Sequence, residues 1–509
     1  MSNTLAETRS KNTKYYIVAI IALCLMFLLP VLLKPGALPD NPDVKAPEAI
    51  TQNGVTVLCV FFGVLIATMF TGETFWPAVL GMFALVMGNF TTASGILSTW
   101  FGNTTIQQII WVMAFTGAVT ESGAVDVLAK KFLKIRGLQG HPMRLILLLF
   151  FAVMICAEFV NSPTAMLLLW YPILDGICEV CQVEKDSDLK RELMLGVFIA
   201  CMGAYALPFK GVHLSSIAII SGIMSGSGLE FNNGIYLLCA TLVVAAFITC
   251  YALFMKFVWK TDLSPLADYS FEKMGIKDED LKMNTRQKIL LGCLIFGVLF
   301  LIISLVLPKQ SGLYTLINSK IGSTWVWIAM FAILCMFRDK EGKPFINGIK
   351  LLQQKTMWGI LAVAGCFTIC GTAIAADTYG IKYTVSQIIS PILGSASWPI
   401  MVFFCVAISC IFTNFTNGMP VSFTINAICI PIACAMQLAR SGGNASVLAV
   451  ATIMASQCAF MTHGAIAYAP IMLGREEMTT KFIWSKGAVT NVLFIVLCTV
   501  LCVVFGYIF

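Results

Sequence analysis

Two short polar segments lie inside long apolar runs and carry side chains that could bind ions. Residues 158–165 read EFVNSPTA and residues 411–418 read IFTNFTNG. Each places an asparagine beside serine or threonine, next to glycine or proline. Carbonyl, amide and hydroxyl oxygens in such a turn can bind a cation, and N–H groups at the start of a following helix can bind an anion. Both segments are therefore predicted binding tips.

A second pair of segments follows these tips at nearly the same distance. Residues 201–211 read CMGAYALPFKG and residues 456–464 read SQCAFMTHG, so Asn161 precedes Gly203 by 42 residues and Asn414 precedes Ala459 by 45. Each is predicted to interrupt a membrane helix. Unwound backbone at membrane depth is tolerated only where it is buried or lines a cavity. A single segment of this kind could be an ordinary proline kink or a site of helix–helix hydrogen bonding. Two such segments in corresponding places of the chain favour a binding site.

Four ionisable residues fall near these segments. Lys210 lies in the first interruption, where a charge must face a cavity or a partner. Either it contacts an anion directly or it pairs with Glu158, and the two roles are compatible. His463, in the second interruption, is interpreted as a substrate contact, whereas the role of His213 is left open.

These segments sit in a chain with the composition of an α-helical membrane protein. Of 509 residues, 58% are hydrophobic and 12% are charged, and the mean hydropathy is +0.86. The apolar runs are long enough to span a bilayer as helices and lack the alternation of barrel strands. The sequence contains no HExxH, paired aspartates, GxSxG or P-loop, which argues against an enzyme and against ATP-driven transport by this chain alone.

The basic residues predict the topology. With a cytoplasmic N-terminus, 26 of the 33 Lys and Arg residues fall in cytoplasmic segments and six outside, as the positive-inside rule requires. We predict eleven membrane helices plus two hairpins that enter and leave on one side. The helices are about 15–33, 53–71, 75–89, 105–121, 192–224, 235–257, 287–307, 323–337, 356–376, 444–474 and 487–508, and the hairpins are 142–180 and 397–437.

The hairpins divide the chain into two halves of opposite orientation. Residues 1–52 form an N-terminal segment with the first helix, which is interpreted as uncleaved because it is long and no A-x-A site follows. The first repeat is 53–257, with a cytoplasmic-side hairpin, and the second is 287–509, with an outside-facing hairpin. A charged cytoplasmic linker, 258–286, joins them. Inverted repeats with interrupted helices are typical of secondary transporters.

Neither the net charge of +7 nor the 19 cysteines indicate a further binding partner. The cations follow the membrane topology and form no patch for nucleic acid, and most cysteines lie in apolar runs, where cysteine acts as a small hydrophobe. The pair Cys178 and Cys181 forms a CxxC, but no second pair or histidine cluster suggests a metal site. No cofactor is expected, and the role of this pair is left open.

The tips resemble those of the divalent anion/sodium symporter family, carriers of dicarboxylates and citrate within the ion transporter superfamily. Its Ser-Asn-Thr motif is matched by residues 160–162 (VNS) and 413–415 (TNF), and residues 455–461 (ASQCAFM) look like its segment before the last broken helix. The chain departs from the motif at Val160 and Phe415, and at 462–465, where the family has a Pro/Thr-rich segment. These departures are expected to affect substrate recognition more than sodium binding, because sodium coordination relies on backbone carbonyls.

The resemblance implies a homodimer, an elevator motion, sodium at each tip and substrate between the tips. The implied sodium-binding residues are Val160, Asn161, Gly203, Thr413, Asn414 and Ala459. The candidate substrate-binding residues are Asn161, Ser162, Thr164, Lys210, Asn414, Thr416, Asn417 and His463.

The function predicted from these residues is secondary active transport of a small organic anion, of di- or tricarboxylate type, and sodium coupling is expected. Proton-coupled or exchange transport is an alternative, as is a cation/proton antiporter; the latter usually carries an acid pair, and here Ile411 stands opposite Glu158. The protein is expected in the inner (plasma) membrane among lipids, with its C-terminus outside.

Overall fold

The computed structural model describes the chain from Ser2 to Phe509 with short gaps. The gaps are residues 42–43, 45, 136–137, 161–162, 209–212, 308–309, 339–341, 343, 382, 385–386, 388–396, 416–417, 440–441, 463–464 and 467.

The first half of the chain is a succession of helices. They are α1 (Ser2–Leu23), α2 (Leu29–Leu33), α3 (Gln52–Thr71), α4 (Phe75–Met87), α5 (Ala93–Phe101), α6 (Thr104–Glu121), α7 (Ala124–Leu133), α8 (Pro142–Phe159), α9 (Pro163–Val180), α10 (Asp188–Ala200), α11 (Leu214–Gly226) and α12 (Asn233–Phe257). A π-helical turn, Cys24–Leu28, joins α1 to α2.

The second half has a similar order of helices where the structure describes it. Its helices are α13 (Thr285–Val306), α14 (Gly322–Met336), α15 (Gly348–Lys355), α16 (Trp358–Ala375), α17 (Trp398–Thr413), α18 (Gly418–Leu438), α19 (Ala445–Gln457), α20 (Ala469–Leu473) and α21 (Ala488–Ile508). In both halves a short helix (α5 or α15) precedes a long one (α6 or α16), and later come a helix pair, an interrupted helix and a long last helix.

Helix length and composition fit a membrane protein. Among the described residues, five runs are long and apolar enough to cross a bilayer, or seven if two bent helix pairs each count as one span. Several shorter apolar helices accompany them, including α4, α11, α14, α17 and α19. Polar residues cap helix starts: the side chains of Asn232 and Asn444 accept hydrogen bonds from the first N–H groups of α12 and α19, which intrahelical bonding leaves free. The all-α membrane class is therefore confirmed.

The loops contain structure that hydropathy did not indicate. Helix α1 extends to Ser2, well before the span predicted from residue 15, and α5, α7 and α15 are short helices in segments predicted as loops. The pairs α6–α7 and α15–α16 are bent by 59° and 69°. A hydropathy window detects long apolar runs, so it misses a short helix with one apolar face.

The charged segment 258–286 packs against the helices. It forms 3₁₀ turns at Ser264–Asp268, Glu272–Met274 and Asp278–Leu281. The buried Tyr269 donates its hydroxyl to the carbonyl of Leu133, 3.1 Å away. The N–H of Gly140 donates to the carbonyl of Ala267 at 3.0 Å. These bonds join the segment to the last residue of α7 and to the turn just before α8.

A cluster of ion pairs joins the two halves at one end of the molecule. The ammonium of Lys190, at the start of α10, lies 2.8 Å from Glu477 and 3.2 Å from Asp175. Arg475 lies 2.7 Å from Asp175, and Lys486 contacts Asp188 at 2.9 Å. The side chain of Lys190 is only 7% exposed, so its charge depends on these partners.

Helices α11 and α16 make the most extensive helix–helix contact among the described residues. A Cβ at Gly222 would lie 2.7 Å from the carbonyl oxygen of Thr368, which explains why glycine is needed there. The Thr368 hydroxyl donates to the carbonyl of Ala218 at 3.3 Å. Small side chains let the two backbones approach closely, as is common between membrane helices.

Candidate functional site

The turn after α17 docks onto the interruption after α19 through Asn414. This side chain is 3% exposed. Its Oδ1 accepts hydrogen bonds from the N–H groups of Phe460 and Met461, both at 3.0 Å. Its Nδ2 donates to the carbonyls of Cys410, at 2.7 Å, and Cys458, at 3.2 Å. Asn414 thus satisfies backbone groups that the interrupted helix leaves without helical partners.

The neighbours of Asn414 strengthen this docking. The Thr413 hydroxyl donates to the carbonyl of Ser456 at 2.7 Å, and the Thr462 hydroxyl donates to the carbonyl of Asn414 at 2.6 Å. A Cβ at Gly418 would lie 2.2 Å from the same Ser456 oxygen. The second tip and the second interruption therefore form one compact unit at close backbone distance.

Three of the predicted sodium-binding residues meet in this unit. Thr413 and Asn414 belong to the tip, and Ala459 lies in the interruption between Cys458 and Phe460, both of which bond to Asn414. Ala459 has no exposed surface. The backbone from Cys458 to Tyr468 is not helical where the structure describes it, so carbonyl groups there are released from helical bonding.

Buried polar atoms without partners surround the second interruption. The hydroxyl of Ser409, Oε1 of Gln457 and Nδ2 of Asn491 have no hydrogen-bond partner among the described residues, although these residues are 0%, 2% and 6% exposed. Such groups are costly unless water, an ion or a ligand satisfies them. Two of the three are oxygens that a cation could use.

Asn491 is a site residue that the sequence reasoning missed. Its Oδ1 accepts a hydrogen bond from Asn414 Nδ2 at 3.2 Å and lies 3.5 Å from the Cys458 sulfur. It belongs to α21, otherwise an apolar helix that contains no other asparagine. A single amide in an apolar membrane helix is a signal that could have identified it.

The first tip is described in part. Asn161 and Ser162 lie outside the described residues, as do Lys210, Thr416, Asn417 and His463. Val160 is extended and 5% exposed, and Thr164 is partly exposed in the first turn of α9.

The first interruption packs against the helix that leads to this tip. A Cβ at Gly203 would lie 2.6 Å from the carbonyl oxygen of Met154 in α8. The interruption contains a 3₁₀ turn, Cys201–Tyr205, and the described residues between that turn and α11, 206–208 and 213, are not helical. Gly203 and the helix ending at Phe159 are therefore in close contact, as Ala459 and the second tip are.

Glu158 is the first residue of the first tip and is partly buried. Its Oε1 accepts a hydrogen bond from the Thr241 hydroxyl of α12 at 3.4 Å. The predicted pairing of Glu158 with Lys210 involves a residue outside the described part of the chain.

His213 is built into the first interruption. It is 1% exposed, and its Nε2 lies 3.1 Å from the carbonyl oxygen of Leu207. Its ring stacks on Tyr236 at 6.2 Å and meets the edge of Tyr205 at 5.4 Å. The Tyr236 hydroxyl in turn donates to the carbonyl of Tyr205 at 3.0 Å. These contacts fix the interrupted backbone, which gives His213 a structural role.

Phe415, one of the departures from the family motif, does not enter the docked unit. Its side chain is 59% exposed and lies 6.4 Å from the ring of Trp484. The tie to the interruption comes instead from Thr462, whose hydroxyl reaches the Asn414 carbonyl. Replacing the motif threonine with phenylalanine therefore leaves the docking of this tip intact.

The residues described here hold no cluster of three or more histidine, cysteine or acidic side chains that could bind a metal ion. Cys178 and Cys181 are both buried free thiols. The second tip and its interruption therefore offer backbone groups, amides and hydroxyls. Such groups can bind hard cations and anions, and the described residues there form no nucleophile–base arrangement.

Solved structures with the same fold are transporters. One is the YdaH transporter of Alcanivorax borkumensis, described as having an unusual topology (TM-score 0.58, 12% identity, 96% of this chain and 98% of that chain). Another is MtrF of Neisseria gonorrhoeae, described as illuminating a class of antimetabolite efflux pumps (TM-score 0.56, 14% identity, 97% and 95%). At these identities the likeness shows the fold alone. No curated protein sequence matches.

The sequence itself matches the family described as "Sodium:sulfate symporter transmembrane region" over residues 10–509. This match covers nearly the whole chain, including both tips and both interruptions. The chain therefore belongs to the sodium:sulfate symporter family, and it is a multi-pass membrane transporter and not an enzyme.

Proposed function

We propose that the protein is a secondary active transporter of a small organic anion of di- or tricarboxylate type, coupled to sodium. The observation that carries this proposal is the docking of the second tip onto the interrupted helix through Asn414. It creates a buried site made of backbone and neutral oxygens within a helical membrane protein, the kind of site that binds coupling ions in secondary transporters.

In this proposal sodium binds at the second tip. Oxygen ligands are available from the Ala459 backbone, from the Thr413 hydroxyl, which keeps its lone pairs while donating, and from the unpartnered oxygens of Ser409 and Gln457. The side-chain atoms of Asn414 are already engaged by the protein. Asn414 therefore holds the tip in place, and this role takes precedence over direct contact with substrate.

The first tip supplies the matching sodium site, with Val160, Asn161 and Gly203. The anion binds between the tips, near the starts of α9 and α18, where helix dipoles favour negative charge. The remaining substrate-binding residues in the proposal, which rest on the sequence and on the family resemblance, are Ser162, Thr164, Lys210, Thr416, Asn417 and His463.

The proposed assembly is a homodimer in the inner membrane, in which a transport part moves against a fixed scaffold. The N-terminus is placed in the cytoplasm and the C-terminus outside. The bias of basic residues supports this orientation, and the family resemblance supports the dimer and the motion.

The test is uptake by purified protein in proteoliposomes. Labelled succinate, citrate and sulfate are offered with an inward sodium gradient, with potassium in its place, and with a pH gradient alone. Uptake of a carboxylate that requires sodium supports the proposal. Uptake that responds only to the pH gradient would identify the proton, and not sodium, as the coupling ion. Uptake of sulfate alone would overturn the carboxylate assignment. Asn161→Ala should abolish uptake in the same assay, because it removes the amide side chain of the first tip.

A further inference from the structure

Four buried polar side chains form a chain of hydrogen bonds in the centre of the molecule. The hydroxyl oxygens of Ser216 and Ser422 are 2.8 Å apart. Asn426 donates through Nδ2 to Ser422 at 3.1 Å, and the Thr452 hydroxyl donates to Asn426 Oδ1 at 2.6 Å. None of the four is more than 1% exposed. We call this set the central polar chain.

The central polar chain joins the helix after the first interruption to the helix after the second tip. Ser216 is in the first turn of α11, which follows the first interruption. Ser422 is in the first turns of α18, which follows the second tip, and Thr452 is in α19, which leads to the second interruption. The Ser216–Ser422 contact links residues 206 positions apart in the chain. It is therefore a direct side-chain bridge between the two halves, from the helix after the first interruption to the helix after the second tip.

Such a bridge couples the order of the two tips. A hydrogen bond in a dry interior is strong, and leaving one of its partners unpaired there is costly. When a ligand orders the second tip, the start of α11 beside the first interruption is ordered with it, and that interruption packs through Gly203 against the helix that ends at the first tip. The second ligand then loses less conformational freedom on binding, which appears as positive cooperativity between the sites.

We propose that Ser216 and Ser422 are positioning residues that couple ligand binding at the two tips. The coupling makes the affinity for the anion rise when sodium is bound. This inference rests on the proposed function for the identity of the ligands, but the bridge itself is independent of which cation is transported.

The first test measures anion affinity by calorimetry with saturating sodium and without it. Ser216→Ala and Ser422→Ala should each reduce the sodium-dependent gain in affinity by about two- to tenfold. The double variant should lose no more than Ser422→Ala alone, because that variant already removes both the contact with Ser216 and the acceptor of Asn426. Ser216→Thr keeps the hydroxyl and should restore the gain.

The matched control is Ser215→Ala. Ser215 is the preceding residue of the same helix and is equally buried, at 1% exposed. This variant should keep the full gain in affinity. Equal effects of Ser215→Ala and Ser216→Ala would overturn the proposal, since they would reflect packing of α11 alone.

The second test does not depend on the cation. Hydrogen exchange in peptides from residues 418–430 should be faster in Ser216→Ala than in wild type and unchanged in Ser215→Ala. If wild-type anion affinity does not respond to sodium, the sodium part of the proposed function fails. The exchange measurement still tests whether the Ser216–Ser422 bridge couples the two helices. Unchanged exchange at 418–430 in Ser216→Ala would overturn the coupling.

Discussion

Asn414 engages all the polar atoms of its side chain, and its own carbonyl accepts a hydrogen bond from Thr462. An asparagine amide combines a two-lone-pair acceptor with two donors. It can therefore satisfy N–H and carbonyl groups of an interrupted helix at the same time. A carboxylate offers only acceptors and a hydroxyl is shorter, so neither can replace this pattern.

Asn414→Ala is expected to reduce transport at least about tenfold, because each buried group left unpaired costs about 1–3 kcal/mol. Asn414→Asp should also fail, since a carboxylate cannot donate to the carbonyls of Cys410 and Cys458. The measurement is initial uptake at equal amounts of folded protein. The control is Phe415→Ala, because Phe415 is largely exposed and should transport normally. Normal uptake by Asn414→Ala would contradict the role of the docked tip.

Gly418→Ala tests the close approach of the tip to the interruption. The added methyl group would lie 2.2 Å from the Ser456 carbonyl oxygen, so α18 must move away from α19 and transport should fall severely. Gly312→Ala is the control, because nothing lies within 4 Å of a Cβ there. Uptake and melting temperature are compared in both variants, and equal behaviour of the two would count against the docking geometry.

At the scale of elements, the ion-pair cluster joins α9 and α10 to the segment before α21. Burial alone raises the pKa of Glu477, but hydrogen bonds from Lys190 and Arg475 outweigh this effect and lower the pKa from 4.5 to about 2. A carboxyl group whose pKa is lower in the folded state stabilises the fold above its ordinary pKa. That contribution is lost as the pH falls toward the folded-state value.

Glu477→Gln is therefore expected to melt at a lower temperature than wild type at neutral pH, and the difference should shrink from about pH 5 to about pH 3. The measurement is the melting temperature of the detergent-solubilised protein against pH. Glu476→Gln is the control, because this neighbouring carboxylate is exposed. Its curve should run parallel to that of wild type. A pH-independent difference between Glu477→Gln and wild type would contradict the ion-pair assignment.

The elements differ in how far the sequence predicts them. Helices α8 and α9 occupy 142–159 and 163–180, inside a segment that hydropathy and the polar tip mark clearly. The short helices α5, α7 and α15 were missed because their lengths and polar faces resemble loops. The interruptions were located by glycine, proline and polar residues, but the extent of the second one, from α19 to α20, depends on its docking with Asn414.

At the scale of the whole molecule, the pairing of distant residues could not be predicted from one sequence. Nothing in the local sequence indicates that Ser216 meets Ser422 or that Asn491 meets Asn414. Serine and asparagine in a membrane helix predict a hydrogen bond but not its partner. The packing of the helices decides the partner, and the candidate site could therefore be located in part but not assembled.

The helix–helix contacts around α11 are of two kinds. Contacts among α11, α18 and α19 include the buried hydrogen bonds of the central polar chain. The contact between α11 and α16 is lined by small residues such as Gly222 and Gly371, with one described side-chain bond, from Thr368 to Ala218. Polar networks resist separation, whereas a surface of small side chains can slide with few bonds to break. The proposed moving boundary therefore lies between α11 and α16.

Cross-linking across this boundary should stop transport. In a background without reactive native cysteines, Ala218→Cys with Thr368→Cys places two thiols on facing helices at the boundary. Asp175→Cys with Arg475→Cys is the comparison, because that pair joins α9 to the segment before α21, neither of which belongs to the proposed boundary, and the native side chains meet at 2.7 Å. A short bifunctional thiol reagent is applied to each in proteoliposomes, and uptake before and after reaction is compared. The first link should abolish uptake because α11 can no longer move past α16, whereas the second should spare it because its ends move together. Continued uptake with the 218–368 link fully formed would show that this boundary stays fixed during transport.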